Sequence, residues 1–173
     1  MIHASKYRWI LVAWWLLALP GAALALPPVT GYDLKGDWFD LRAQTATVQS
    51  GKAVLLVFYA NNCHACLDEV PVMKQVRTEV NQRPVEIVYV NVGDDEAAIS
   101  RVAKRYQIDF RIILDPKQSI YTNVLTQIVR PGVTKGLPLV VLVAPGGEVP
   151  FAKTGMASHD ELIHAITQTL AGR

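Results

Sequence analysis

The chain has 173 residues, 51% of them hydrophobic and 18% charged, so it can form one compact domain and is too apolar to be disordered. Its 11 glycines and 10 prolines exclude collagen-like and low-complexity chains. The formal net charge of +2 gives no strongly basic surface, so we expect no nucleic acid as a partner.

The first 25 residues have the pattern of an export signal. Lys6 and Arg8 precede an apolar run over residues 9–19, and Ala23-Leu24-Ala25 offers a small-x-small cleavage site. The alternative is an uncleaved membrane anchor, because the apolar stretch approaches the roughly 20 residues that a membrane helix needs. Both interpretations predict an oxidising location, either the periplasm or the extracytoplasmic face of a membrane.

Residues 26–50 are expected to form an irregular N-terminal extension, and residues 51–172 the domain proper. Prolines and glycines interrupt the extension, and Leu34, Trp38 and Leu41 are its predicted packing anchors. Trp38 is the only tryptophan after the predicted cleavage site, and we expect it to be buried.

Strands and helices are predicted to alternate along the rest of the chain. Apolar runs and a turn-linked partner predict strands over residues 53–60, 85–92, 108–114, 139–144 and 148–153. Helical spacing and capping residues predict helices that begin near residues 63, 95, 119 and 158. This order predicts an α/β fold with a central mixed β-sheet flanked by helices.

The only two cysteines lie close together in the segment Cys63-His64-Ala65-Cys66, at a predicted junction of strand and helix. Their sulfurs can close a small loop, and the helix N-terminus would stabilise a thiolate on the first cysteine. A thiolate is the nucleophile of thiol–disulfide exchange, so the placement favours redox chemistry. The alternative is an inert disulfide in a non-catalytic binding module, although so short a bridge removes little chain entropy.

Metal binding is a further candidate function of this segment. Cys63, His64 and Cys66 offer three ligands where a zinc site needs four, and no second CxxC or HxxxH follows. We therefore predict no metal site, and we interpret His159 and His164 as surface residues. Copper(I) could bind through the two sulfurs alone, which leaves a copper-handling protein as the alternative function.

Three segments carry a family pattern. Residues 57–60 (VFYA) lead into the CHAC motif, residues 66–71 read CLDEVP, and residues 136–147 read GLPLVVLVAPGG. They resemble the active-site strand and helix, the CxxCxxExP pattern and the GxP, strand and glycine turn of the TlpA/ResA-like branch of the thioredoxin fold. The resemblance covers about residues 50–172. It implies a thiol–disulfide oxidoreductase with no cofactor beyond its redox-active disulfide.

The resemblance implies a role for each matching position. Cys63 would be the exposed attacking thiolate and Cys66 the buried resolving thiol, joined in a disulfide when oxidised. Glu69, one helical turn after Cys66, would face the thiols, and an ordinary exposed glutamate is the alternative at this position. Pro138 would be a cis-proline beside the disulfide, and Leu137 would offer its backbone to a bound client.

Two positions depart from the pattern common in this branch. Asn62 precedes the first cysteine where tryptophan is common, and Leu137 stands where threonine or valine is usual before the proline. Both lie where a client would dock, so they bear on the choice of client. His64 is a candidate redox-tuning residue, because a hydrogen bond or positive charge from it would favour a Cys63 thiolate, unless it only faces solvent.

The resemblance also implies the partners. Client proteins would bring thiols or disulfides, and a membrane-bound electron donor would supply the electrons. Proteins of this branch typically reduce selected disulfides in an otherwise oxidising space, so we expect a reductase.

Overall fold

A computed structural model of the chain describes residues 26–46, 48, 51–128 and 130–172. The predicted leader, residues 1–25, lies outside the described residues. Seven strands form within them: β1 (Thr30–Tyr32), β2 (Trp38–Asp40), β3 (Ala53–Tyr59), β4 (Val85–Val92), β5 (Arg111–Asp115), β6 (Leu139–Val143) and β7 (Phe151–Thr154). Six helices form as well: α1 (Leu41–Thr45), α2 (His64–Asp68), α3 (Val70–Glu79), α4 (Glu96–Tyr106), α5 (Ser119–Gln127) and α6 (His159–Ala171).

A five-stranded mixed sheet in the order β5-β4-β3-β6-β7 forms the centre of the molecule. Strands β3, β4 and β5 are parallel, whereas β6 is antiparallel to β3 and β7 is antiparallel to β6. The central strand β3 is buried at every residue, as its unbroken apolar run predicts. The predicted mixed sheet is therefore present.

Alternate residues of β3 face opposite sides of the sheet and belong to two separate hydrophobic cores. Helices α3, α4 and α6 contribute to the first core through residues such as Met73, Ile99 and Leu162. Helix α5 and the N-terminal extension contribute to the second core through residues such as Val124 and Phe39. Both faces of the sheet are thus covered, so a functional site has to lie at the ends of the strands.

The N-terminal extension contains a hairpin of β1 and β2 followed by the short helix α1. The prediction that Trp38 is buried is wrong, because its side chain is 56% exposed and packs edge-on against the Tyr32 ring. Successive side chains of a strand point to opposite faces, and here Phe39 takes the inward position. Of the other predicted anchors, Leu41 is buried and Leu34 packs partly against the core.

The helix predicted after the cysteines is divided into α2 and α3. Pro71 lies in the first turn of α3, where its missing N–H interrupts the hydrogen bonding of a continuous helix. Elsewhere two boundaries shift by three residues: β5 and β7 begin later than predicted. The predicted capping box of α6 is confirmed, with Ser158 and Glu161 each accepting a hydrogen bond from the other's N–H.

Candidate active site

The two cysteines lie where the central strand leads into helix α2. Strand β3 ends at Tyr59, and Cys63 is the N-cap residue of α2. A disulfide joins Cys63 to Cys66, and the Cys66 N–H donates a hydrogen bond to Cys63 Sγ over 3.2 Å. This donor and the helix N-terminus would stabilise negative charge on Cys63 Sγ once the disulfide is reduced.

The two cysteines differ in accessibility. Cys63 is half-buried, whereas Cys66 is only 1% exposed and belongs to the first hydrophobic core. A partner molecule can therefore reach the first sulfur far more easily than the second. His64 lies between them as the exposed first residue of α2, and its redox-tuning role stays a prediction.

Glu69 is fully buried between α2 and α3, which excludes the alternative of an ordinary exposed glutamate. Its Oε1 accepts a hydrogen bond from the Ala157 N–H over 2.6 Å. Its Oε2 is buried without a partner among the described residues. Burial raises the pKa of this carboxyl to about 7, although the Ala157 N–H and the Lys153 ammonium act in the opposite direction. Glu69 can therefore gain or lose a proton near neutral pH.

The Leu137-Pro138 segment lies beside the end of the strand that leads into the cysteines. The peptide bond between the two residues is cis. Leu139, the first residue of β6, lies opposite Phe58 of β3, and this register brings Pro138 close to the end of β3. Pro138 is buried, its carbonyl accepts a hydrogen bond from the Gly155 N–H over 2.8 Å, and Leu137 is half-buried. The topology thus brings both segments of the family pattern together.

A polar cluster that the sequence analysis missed holds the loop before Cys63. The Asp94 carboxylate accepts hydrogen bonds from the Asn61 N–H (2.8 Å) and from the Asn91 side-chain amide (3.0 Å). The same Asn91 amide donates to Asn61 Oδ1 over 3.2 Å. The signal that could have revealed the cluster is Asn91, a polar residue near the end of an apolar run. Asn62, the predicted docking residue, is exposed on this loop.

Comparison with known proteins assigns the family. The model of the AhpC/TSA family matches residues 23–152. The chain belongs to the AhpC/TSA family. Among its curated relatives, the thiol-disulfide oxidoreductase ResA of Halalkalibacterium halodurans is 32% identical over 124 residues, which are 71% of this chain and 62% of the relative. The chain therefore matches about three fifths of the length of that relative.

Solved structures similar to this AhpC/TSA-family chain share its fold. The structure of MTB DsbF in its mixed oxidised and reduced forms is 27% identical, with a TM-score of 0.67 over 85% of this chain and 97% of that chain. A thiol:disulfide interchange protein of the thioredoxin family from Chlorobium tepidum TLS is 20% identical, with a TM-score of 0.69 over 84% and 95%. The predicted thioredoxin fold and the resemblance to ResA-like proteins are confirmed.

The described part of this AhpC/TSA-family chain contains no group of three or more His, Cys, Asp or Glu side chains that could hold a metal ion. His164 is exposed, and His159 Nε2 lies 3.1 Å from Glu79 Oε2 on the molecular surface. The copper-handling alternative gains no specific support from this arrangement. Within the same residues, no helix is both long enough and apolar enough to cross a membrane.

Proposed function

We propose that this chain is a thiol–disulfide oxidoreductase that reduces disulfides of client proteins. One observation carries the proposal: the reachable Cys63 is joined to the buried Cys66 at the start of a helix that follows β3, the strand opposite which Leu139 lies. This arrangement separates an attacking sulfur from a resolving one. The names of the similar proteins are consistent with the same chemistry.

The proposed exchange has two steps. The Cys63 thiolate of the reduced protein attacks one sulfur of the client disulfide, forms a mixed disulfide and releases one client thiolate. Cys66 then loses its proton and attacks Cys63 Sγ, which releases the second client thiolate and closes the intramolecular disulfide. Two electrons pass from the protein to the client. The Cys66 proton stays on its acceptor, and the two client thiolates take up protons from water. Glu69, one helical turn after Cys66 and with a pKa of about 7, is the proposed acceptor of the Cys66 proton.

The proposed partners and location follow from the sequence. The dithiol has to be reduced again after each turnover, and we propose a membrane-bound electron donor for this step. The predicted leader in residues 1–25 would place the domain on the extracytoplasmic side, either released into the periplasm or tethered to the membrane. Beyond the redox-active disulfide, the proposed reaction uses no cofactor.

Reduction of insulin by dithiothreitol, with and without this protein, tests the proposed function. We expect the protein to accelerate the reduction catalytically. A parallel titration of the reduced protein with copper(I) addresses the alternative use of the same cysteines. No acceleration over dithiothreitol alone, together with tight stoichiometric copper binding, would replace the proposal with copper handling.

Pro138→Ala is expected to slow client reduction about tenfold and to strengthen the binding of metal ions by the dithiol. The pyrrolidine ring has no N–H, and Pro138 lies close to the end of β3, so we expect its loss to open the sulfurs to metals and to alter the docking edge. The rate of insulin reduction and a zinc titration of the reduced protein measure both effects. Pro116→Ala, an exposed proline ahead of α5, is the control. If both variants behave alike, Pro138 has no part in the site.

Glu69→Gln is expected to lower the thiol pKa of Cys66 by about one unit and to make the protein a weaker reductant. A carboxylate near the thiols opposes their ionisation, and destabilised thiolates make a dithiol more reducing. The reduction potential should therefore rise by roughly 30 mV and depend less on pH. Alkylation rates across pH and equilibration with glutathione measure the two quantities.

The neighbouring Asp68 provides the matched control, because it is exposed and carries the same charge one residue earlier. Asp68→Asn should change the thiol pKa and the potential much less than Glu69→Gln, since water screens an exposed charge. Superimposable titration curves for wild type and Glu69→Gln would remove Glu69 from redox tuning. His64 would then be the main candidate for that role.

A further inference from the structure

Two side-chain hydroxyls hold the loop that leads into Leu137. Tyr121 Oη accepts a hydrogen bond from the Gly136 N–H over 2.9 Å and donates one to the Gly136 carbonyl over 3.1 Å. Thr154 Oγ1 does the same to Thr134: it accepts from the N–H over 3.0 Å and donates to the carbonyl over 2.8 Å. Each hydroxyl thus satisfies both backbone groups of one loop residue, in a segment that no helix or strand orders.

The Tyr121 hydroxyl is itself fixed by the fold. Tyr121 is buried on α5, and its N–H donates to Oδ2 of the buried Asp115 over 2.9 Å. Its ring packs on Phe58 of β3 with 5.9 Å between the ring centroids. Because β3 leads into the cysteines, Tyr121 connects the strand that precedes the attacking sulfur to the loop that carries Leu137.

Strand β7 holds the loop from the other side. Thr154 lies opposite Leu139 in the sheet, and the next residue, Gly155, donates to the Pro138 carbonyl over 2.8 Å. The residues on both sides of Leu137 are therefore anchored. Within the described part of the chain, no backbone hydrogen bond involves the N–H or the carbonyl of Leu137 itself.

We infer that Tyr121 and Thr154 are positioning residues that hold the backbone edge of Leu137 ready for a strand of the client. The inference rests on the proposed function, because it takes Leu137 as the docking residue. An extended client segment would pair with the free N–H and carbonyl of Leu137. A loop that is already fixed loses less conformational entropy when the client binds. A small disulfide has no peptide strand to pair, so it gains nothing from the fixed loop.

Tyr121→Phe tests the inference, since it removes the hydroxyl and keeps the ring against Phe58. With a linear peptide closed by one internal disulfide as the substrate, we expect KM to rise about five- to tenfold. We expect kcat, the rate with bis(2-hydroxyethyl) disulfide as a small linear substrate, and the reduction potential to stay unchanged. Thr154→Val should act in the same direction. Tyr106→Phe, on the exposed surface of α4, is the control and should match wild type.

A second peptide distinguishes lost docking from a general loosening of the site. It has the same sequence but carries N-methyl groups on the amides that flank its cysteines, so it cannot pair as a strand. Wild type should bind this peptide several-fold more weakly than the unmodified one, and Tyr121→Phe should discriminate less between the two.

The outcomes separate the inference from the proposed function. An unchanged peptide KM in both hydroxyl variants, or an equal loss of rate with the peptide and with bis(2-hydroxyethyl) disulfide, would overturn the inference. Absence of exchange in the wild-type protein would instead overturn the proposed function. Thermal unfolding shows which variants are folded. Gly136 is only half-buried, so water can solvate its freed backbone groups in Tyr121→Phe, and we expect this variant to remain folded.

Discussion

Replacing Cys63 with serine is expected to abolish disulfide exchange, whereas Cys66→Ser should retain the first attack and accumulate mixed disulfides with clients. The structure gives the reason, because only Cys63 is accessible to a client and its sulfur already accepts the Cys66 N–H. Without Cys66 Sγ, no internal thiolate can release the client from Cys63. Non-reducing electrophoresis with a disulfide-containing client measures the trapped complex, and mass spectrometry identifies the linked cysteine.

The two variants control for each other. Both lack the intramolecular disulfide, which closes a loop of few residues and contributes little chain entropy, so their stabilities should be similar. Any difference in trapping then reports the position of the remaining sulfur. Equal amounts of mixed disulfide in Cys63→Ser and Cys66→Ser would contradict the assignment of an attacking and a resolving cysteine.

The buried Glu69 should make the oxidised protein lose stability as the pH rises through neutrality. Folding raises the pKa of this carboxyl from the ordinary value of 4.5 to about 7, so the folded state binds the proton more tightly than the unfolded state does. The corresponding stability is fully present below pH 4.5 and is lost as the pH rises to about 7. A shift of this size corresponds to roughly 3 kcal/mol in the free energy of unfolding.

Glu69→Gln isolates this effect, since glutamine does not ionise and its side-chain oxygen can still accept the Ala157 N–H. We expect the free energy of unfolding of wild type, relative to the variant, to fall by roughly 2 kcal/mol between pH 5 and pH 8. Denaturant unfolding of both oxidised proteins at several pH values measures the difference, and contributions from all other groups cancel in it. A difference that stays constant across this range would show that Glu69 titrates as an exposed glutamate does.

Local patterns in the sequence were sufficient for the sheet and for the cysteine pair. The unbroken apolar run of β3 can only be buried on both faces, and the strand and helix around Cys63 follow from neighbours in sequence. Trp38 shows what composition cannot predict. The alternation of side chains between the two faces of β2, and not their size, determines that Phe39 is the buried aromatic residue. Such a choice depends on which face of a short hairpin meets the core.

Sequence patterns could not predict contacts between residues that are far apart in the chain. Asp94 meets Asn61 across 33 positions of sequence, and only the parallel pairing of β3 with β4 brings them together. The family pattern singled out Glu69 rather than the adjacent Asp68, but the sequence left an ordinary exposed glutamate as the alternative. The break between α2 and α3 directs Glu69 inward to the Ala157 N–H and leaves Asp68 exposed.

The N-terminal hairpin has a consequence for solubility. It lies along β5 at one edge of the sheet, where the Leu34 N–H donates to the Ile112 carbonyl over 3.1 Å and the Asp33 carboxylate lies 3.3 Å from the Arg111 guanidinium. An uncovered edge strand offers unpaired backbone groups to any other extended chain, and this is a common route to aggregation. The hairpin covers part of this edge of the sheet, so it hinders other extended chains from adding to β5.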